Sequence, residues 1–146
     1  MNATEMWHAF CANEPILANA PHEAWAFGCE PDFLAKLVLR GQKTATTSSY
    51  PLYALENEPL PQVGEYNIIL DGNDEAICIT KTTKVYRTLF KNVSARHAYL
   101  EGEGDRSLAY WRKVHQAFFT AELAEVKLDF TPDLEVVCEE FEVVFS

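Results

Sequence analysis

A β-hairpin signal in the middle of the chain constrains the fold more than any other feature. Residues 65–70 and 76–85 are rich in Ile and Thr and flank the turn Asp71-Gly72-Asn73. Such a turn between two strand-like runs is typical of tight antiparallel connections. Residues 134–145 mostly alternate apolar and polar side chains, which indicates one more strand or two short ones. The chain is therefore expected to contain an antiparallel sheet.

Four segments carry helical patterns around these strands. Thr4 can cap a first helix through Cys11, and residues 31–40 form a second, with Pro31 at its start and Gly41 at its exit. Residues 94–100 and 107–119 continue the helical pattern, whereas residues 19–28 and 43–49 are expected to be loop and polar connection. Together, the predicted strands and helices indicate an α+β fold, a mainly antiparallel β-barrel with flanking helices, in one domain over residues 1–146.

Charge is unevenly distributed, and the distribution bears on possible partners. The formal net charge is -10, yet residues 1–35 and 114–146 hold thirteen acids and one Lys, while residues 36–113 carry a net +2. Binding of a long polyanion grows with the number of phosphates neutralised. A nucleoside or a short single-stranded RNA therefore fits this chain better than long nucleic acid.

The N-terminus and the cysteines suggest a compartment. The first eight residues contain no basic residue and no apolar signal core, and no apolar run reaches membrane-spanning length. The four cysteines are far apart and form no Cys-x-x-Cys pair. We expect them to be reduced and buried, in a cytoplasmic protein that does not contact a membrane.

Lys43 is the first candidate for chemistry. It follows a helix-ending glycine and precedes a run of hydroxyl residues. In a turn, Lys43 could hydrogen-bond the Thr46 hydroxyl three residues later. Partial desolvation would lower the pKa of that lysine and let it act as a base toward the hydroxyl, although an exposed loop cation would show the same pattern.

A second candidate lies in residues 101–107. The alternating Glu101, Glu103 and Asp105 could hold a divalent metal, but their spacing does not match an EF-hand, and the favoured expectation is no cofactor. In that case one carboxylate faces a basic partner. Arg106 either pairs with these acids or holds a phosphate.

Two aromatic residues offer a stacking surface. Trp25 and Phe27 lie in the segment expected to be a loop, where one of them could stack on a base. No Walker loop, dinucleotide fingerprint or Gly-x-Ser-x-Gly elbow is present, which disfavours a kinase, a dehydrogenase or an α/β-hydrolase.

Several of these motifs together resemble the ASCH family, in its longer subgroup, across nearly the whole chain. The segments that carry the resemblance are Trp7-x-x-Phe10, residues 24–28, Leu39-Arg40-Gly41-Gln42-Lys43-Thr44-Ala45-Thr46, Leu60-Pro61-x-x-Gly64 and residues 101–112, which read EGEGDRSLAYWR. The resemblance implies a β-barrel related to the PUA RNA-binding domain, with a cleft beside it for RNA or a nucleoside.

The family also implies activities and residues. Small bacterial members hydrolyse the amide of N4-acetylcytidine with a Lys, a Thr three residues later and a Glu in a His-Ala-x-x-Glu pattern, which fall here on Lys43, Thr46 and Glu101. Other longer members are described as ribonucleases on single-stranded RNA. In this chain Ser48 stands where the wider family often has an arginine, so Arg40 or Arg106 would replace that substrate cation. The expected substrate-binding residues are Trp25, Phe27, Arg40, Ser48, Arg106 and Ser107.

Three functions follow as alternatives. The first is hydrolysis of an N4-acylated cytidine by Lys43, Thr46 and Glu101, with either Thr46 or a water as the nucleophile. The second is a metal-dependent single-strand ribonuclease, and the third is a non-catalytic RNA- or nucleotide-binding module.

Overall fold

The computed structural model describes all residues 1–146 and contains five α-helices, five β-strands and two short 3₁₀ turns. In chain order the elements are α1 Ala3–Asn13, β1 His22–Ala26, α2 Pro31–Leu39, β2 Ala45–Ser49, α3 Tyr50–Leu55, β3 Tyr66–Leu70, β4 Ala76–Leu89, α4 Ala95–Glu101, α5 Leu108–Ala124 and β5 Glu135–Phe145.

The strands form one curled five-stranded sheet in the order β1-β3-β4-β5-β2. Only the β1–β3 pair is parallel, and the other three pairs are antiparallel. The predicted hairpin is confirmed as β3 and β4, with Tyr66 opposite Lys81. Because β4 is 14 residues long, its residues 76–81 pair with β3 while its residues 79–89 pair with β5 on the other edge. The α+β class is confirmed, and the sheet is a half-barrel.

Two segments expected to be irregular are strands. Residues 22–26 form the edge strand β1, and residues 45–49 form β2, which pairs with β5. Neither sequence alternates clearly between apolar and polar residues. Strand β1 is largely exposed, and β2 consists only of Ala, Thr and Ser. Their strand conformation depends on partners distant in sequence, which a local pattern does not reveal.

Four of the five helices lie close to their predicted positions, whereas α3 lies in a stretch for which no helix was predicted. Two of those four differ in detail. Asn2, not Thr4, caps α1: its side chain accepts from the Glu5 N–H at 2.9 Å, and Glu5 accepts from the Asn2 N–H in return. In α2, the apolar residue Phe33 is 48% exposed, whereas the small residue Ala35 is fully buried.

The core has three parts, which place the helices around the sheet. Helix α1 packs on Ile68 and Ile79, on one face of β3 and β4. Helix α2 packs on Ile69 and Cys78, on the other face. The largest cluster joins α4 and α5 to β5 through a set that includes Trp111, Phe119, Leu123, Val136 and Cys138. Of the four free cysteines only Cys29 is exposed, contrary to expectation. No helix is both long and apolar enough to cross a bilayer.

Candidate functional site: a buried ion cluster beside an acidic cleft

The segment before β2 is fixed by backbone hydrogen bonds on both sides. Gly41 leaves α2 in the left-handed region (φ 76°), and the Lys43 N–H donates to the Leu37 carbonyl at 3.0 Å. The Thr44 N–H donates to the Leu100 carbonyl at 2.8 Å, which ties this segment to α4. Because the backbone is held at both ends, the Lys43 side chain is aimed at α4.

Lys43 and Glu101 meet inside the protein although they are 58 residues apart. The Lys43 Nζ lies 2.9 Å from Glu101 Oε1 and 2.9 Å from Glu103 Oε2. Lys43 is 1% exposed and Glu101 2%. Breaking a buried ion pair costs several kcal/mol, whereas apolar replacement of the whole pair is often neutral. The pair is therefore a candidate for function rather than for stability alone.

Glu101 is surrounded by donors. Its Oε2 accepts from the Thr47 hydroxyl and from the Trp111 indole N–H, both at 2.6 Å. The His97 Nε2 lies 3.2 Å from the same oxygen, and the His115 Nε2 lies 3.5 Å from Oε1. We call Lys43, Thr47, His97, Glu101, Glu103, Trp111 and His115 the ion cluster.

The environment of the cluster shifts three pKa values. Burial opposes the charge on Lys43, but Glu101 and Glu103 outweigh it and raise the lysine pKa above its usual value. Burial likewise opposes the Glu101 charge, but Lys43 and the two histidines hold its pKa well below the usual range. Burial also opposes the charged form of His115, but contact with Glu101 raises its pKa. The expected lowered pKa for Lys43 is therefore wrong, and the amine is protonated at neutral pH.

Gly102 explains why the motif after Glu101 contains glycine. Its φ is 74°, and an added Cβ would overlap the Gln42 carbonyl and lie 3.1 Å from the Lys43 Cα. The Gln42 side-chain amide also donates to the Gly102 carbonyl at 2.7 Å. Close approach of two backbones thus brings α4 within reach of Lys43.

Thr46 lies outside the ion cluster. Alternate residues of a strand point to opposite faces, so Thr47 faces Glu101 while Thr46 faces a cleft on the other side of β2. The expected Lys43–Thr46 hydrogen bond is wrong for the same reason: the segment is a strand rather than a turn, and Lys43 donates to the two carboxylates.

The cleft has a volume of about 870 Å³ and is strongly acidic. Its lining includes Trp25, Thr46, Ser48, Tyr53 and Asn67, but neither Lys nor Arg. It also contains six glutamates: Glu23, Glu56, Glu58, Glu65, Glu122 and Glu139. Burial, with help from Glu65 and Glu23, raises the pKa of Glu139 to about 7. A polyanion would be repelled by such a wall.

The predicted substrate-binding residues divide between two places. Trp25 lines the cleft, and its indole N–H donates to Asn67 Oδ1 at 2.9 Å. Ser48 also lines the cleft and shares a hydrogen bond with the Tyr53 hydroxyl. Phe27 packs edge-on against Trp25, and its ring centre lies 5.3 Å from the Lys43 Nζ. Phe27 therefore stands between the ion cluster and the cleft wall.

The other three lie away from the cleft. Arg40 is exposed at the end of α2. Arg106 stacks on the Tyr99 ring and donates to the Tyr99 carbonyl at 3.0 Å. Ser107 caps α5 by accepting from the Tyr110 N–H at 3.1 Å. Arg106 and Ser107 thus have evident structural roles here.

The possible metal ligands differ from the predicted set of Glu101, Glu103 and Asp105 in one residue. Glu101, Glu103 and His115 place one ligand atom each within 4.8 Å of one another. Asp105 is not among them, since its carboxylate accepts from the Ser107 N–H at 2.9 Å. The Lys43 ammonium contacts both glutamates, so a divalent ion bound there would compete with it.

Sequence reasoning missed several residues of both places. Thr47, His97, Trp111 and His115 were not singled out, although the spacing of His97 and Glu101, and of Trp111 and His115, places each pair on one helix face. Glu139 and Asn67 were missed because only the sheet register brings them to the cleft.

Comparisons with known proteins agree with this fold. The ASCH domain model matches residues 23–145. An ASCH domain structure from Lactobacillus crispatus is 31% identical, with a TM-score of 0.92, over 98% of this chain and 94% of that one. A protein of Enterococcus faecalis assigned to the family model DUF984 is 38% identical, with a TM-score of 0.88, over 99% and 88% of the two chains.

A mutant ASCH protein from Zymomonas mobilis is 13% identical, with a TM-score of 0.50, over 83% and 67% of the chains, and shares the fold alone. No curated protein matches this chain. The family model spans most of the sequence, and the two structures above 30% identity cover nearly all of it. The chain therefore belongs to the ASCH domain family.

Proposed function

We propose that this protein hydrolyses the amide of an N4-acylated cytidine nucleoside, bound in the acidic cleft. The observation that carries the proposal is the buried Lys43–Glu101 contact at 2.9 Å, next to the strand whose Thr46 lines the cleft. An ammonium and a carboxylate that are 58 residues apart thus meet on one side of β2, and the Thr46 hydroxyl lies on the other side. These are the residue types that the resemblance to the cytidine hydrolases implies.

The charge of the cleft favours a nucleoside over a nucleotide or RNA. Six glutamates and neither Lys nor Arg line it, so a phosphate would gain no Lys or Arg partner and would meet repulsion. A cytidine offers a neutral base and neutral ribose hydroxyls instead. Trp25 supplies an aromatic surface for the base, and Asn67, Ser48 and Tyr53 supply hydrogen-bonding groups.

In the proposed reaction Thr46 supplies the attacking oxygen and Lys43 acts from its protonated form. The raised pKa of Lys43 suits a hydrogen-bond donor to the oxyanion that forms on the acyl carbonyl, not a base. Glu101 fixes that ammonium and is itself fixed by Thr47 and Trp111. For the acyl group to reach Lys43, the half-buried Phe27 ring has to shift, and we expect substrate to displace it.

The experiment is release of cytidine from N4-acetylcytidine by purified protein. We expect turnover by wild type and a loss of about 100-fold or more in kcat/KM for Lys43→Met, which keeps the length of the side chain and removes its charge. Circular dichroism establishes that each variant is folded. Absence of cytidine from folded wild-type protein would remove the proposal.

A matched control and a second substrate sharpen this test. Lys84→Met removes an exposed lysine of β4 and should leave turnover unchanged. A labelled single-stranded RNA, incubated with and without a chelator, tests the metal-dependent ribonuclease, for which Glu101, Glu103 and His115 would be the ligands. Cleavage of the RNA that the chelator abolishes, without release of cytidine, would favour that alternative.

A further inference from the structure

A protonated Lys43 leaves the proposed nucleophile without a base, and the sheet register supplies a candidate. Thr46 of β2 lies directly opposite Glu139 of β5. Directly opposed residues of antiparallel strands point to the same face, with Cβ atoms about 4.5–5.5 Å apart. Both side chains line the same cleft. A carboxylate is thus held beside the Thr46 hydroxyl by the backbone pairing itself.

We propose that Glu139 is the proton acceptor for the Thr46 hydroxyl and the proton donor to the leaving amine. This inference rests on the proposed function for its substrate, and on the Thr46–Glu139 pairing for its geometry. Glu101 cannot take this role, because it lies across β2 in contact with Thr47.

The surroundings of Glu139 suit proton transfer. Its neighbour Glu140 makes ion pairs with Arg96 and Lys84 at 2.9 and 3.9 Å, but no cation contributes to the environment of Glu139. The titratable groups that face it are Glu23 of β1, Glu65 before β3, and Tyr53 of α3. Burial and the like charges of Glu65 and Glu23 bring its pKa to about 7, close to where a general base is most effective at neutral pH.

The remaining elements next to Glu139 add no positive charge. From β4, the residue opposite is Val85. From α5, Glu122 lines the same cleft, and its own pKa is raised by burial. Ser48 of β2 shares a hydrogen bond with Tyr53 of α3. The hydroxyl of Thr46, the residue paired with Glu139, is thus the nearby donor.

The chemical steps balance with water as the only co-reactant. Glu139 takes the hydroxyl proton as Thr46 Oγ1 bonds to the acyl carbon, and it gives that proton to N4 as the carbon–nitrogen bond breaks. Cytidine leaves, and an acyl ester remains on Thr46. Water then gives a proton to Glu139 and attacks the ester, and Glu139 returns that proton to Oγ1 as the carboxylic acid departs.

The test compares Glu139→Gln with Glu142→Gln, which makes the same change at an exposed position of the same strand. We expect kcat/KM of wild type and Glu142→Gln for N4-acetylcytidine to rise with pH through about 7. Glu139→Gln should lose about 100-fold or more and lose this rise. Equal rates and an equal pH profile in Glu139→Gln would overturn the inference while leaving the proposed function in place.

A second readout separates failure of the inference from failure of the proposed substrate. With p-nitrophenyl acetate as probe, peptide mapping by mass spectrometry should find acetyl on Thr46 in wild type and Glu142→Gln, at least about tenfold less in Glu139→Gln, and none in Thr46→Val. If acetylation of Thr46 depends on Glu139 but no cytidine is released, Glu139 keeps its role as the base for Thr46 and N4-acetylcytidine is excluded as the substrate. Absence of both reactions in folded wild type would overturn both.

Discussion

At the residue scale, the side chains in and just before β2 divide between the two sides of that strand. Lys43 and Thr47 reach the ion cluster, whereas Thr46 reaches the cleft. The resemblance places Lys43, Thr46 and Glu101 in one set, and the structure joins only Lys43 and Glu101 directly. Phe27, whose ring centre lies 5.3 Å from the Lys43 Nζ, packs against Trp25 of the cleft wall. The proposed reaction thus requires the substrate to bridge the distance between Thr46 and Lys43.

Gly102 offers a prediction on how the ion cluster is built. Gly102→Ala should cost roughly 3 kcal/mol or more in the free energy of unfolding, because it adds a clash with Gln42 to the strain of a left-handed residue. Gly41→Ala has the same left-handed strain (φ 76°) but open space around it, and should cost about 1 kcal/mol. Urea unfolding measures both, and equal losses would contradict the close approach of α4 to Lys43.

At the element scale, local sequence patterns predicted those elements that depend mainly on their own residues. The hairpin of β3 and β4, and helix α2 between Pro31 and Gly41, follow from turn and boundary residues. Strands β1 and β2 could not be found in this way, since their hydrogen bonds go to β3 and β5. The missed pairing also hid Glu139, because its place opposite Thr46 exists only once β2 and β5 are in register.

The N-terminal cap of α1 is Asn2 in the structure but was predicted to be Thr4, and two substitutions can test this difference. Asn2→Ala should lower the free energy of unfolding by about 1 kcal/mol, since it removes the acceptor for the Glu5 N–H. Thr4→Ala, at the residue favoured by the sequence pattern, should change it by less than about 0.5 kcal/mol. Thermal or urea unfolding of the two variants side by side is the measurement. A larger loss of stability in Thr4→Ala than in Asn2→Ala would contradict the assignment of Asn2 as the cap.

At the scale of the whole molecule, the acidic balance of the chain has a structural consequence. The formal charge is -10, and part of it is concentrated in the cleft, where Glu139, Glu65 and Glu122 all have raised pKa values. Carboxylates gathered without cations oppose folding when ionised. The ionised carboxylates of the cleft therefore lower the stability of the folded protein, which is consistent with a binding role for the cleft.

This arrangement predicts the pH dependence of stability. The pKa of Glu139 is raised from 4.5 to about 7, so its contribution to stability is fully present below about pH 4.5 and is lost as the pH rises through 7. The raised pKa of His115 acts in the same direction. The lowered pKa of Glu101 has the opposite effect, because its contribution is lost below pH 4.5.

We therefore expect the free energy of unfolding to be greatest in the weakly acidic range and to fall toward pH 8. Glu139→Gln should flatten this fall, while Glu142→Gln should not. Urea unfolding across pH 5–8 measures it. A wild-type stability that rises over this range would contradict the assignment of Glu139 as a partly buried carboxyl without a cationic partner.

The central claim is that Thr46, in the acidic cleft, carries the reaction for which the ion cluster is arranged. Its most direct test is the rate of cytidine release from N4-acetylcytidine by Thr46→Val, which keeps the shape and removes the hydroxyl, beside Thr46→Ser, which keeps the hydroxyl. The account predicts a loss of about 100-fold or more for Val and substantial activity for Ser. Turnover by Thr46→Val at the wild-type rate would contradict it.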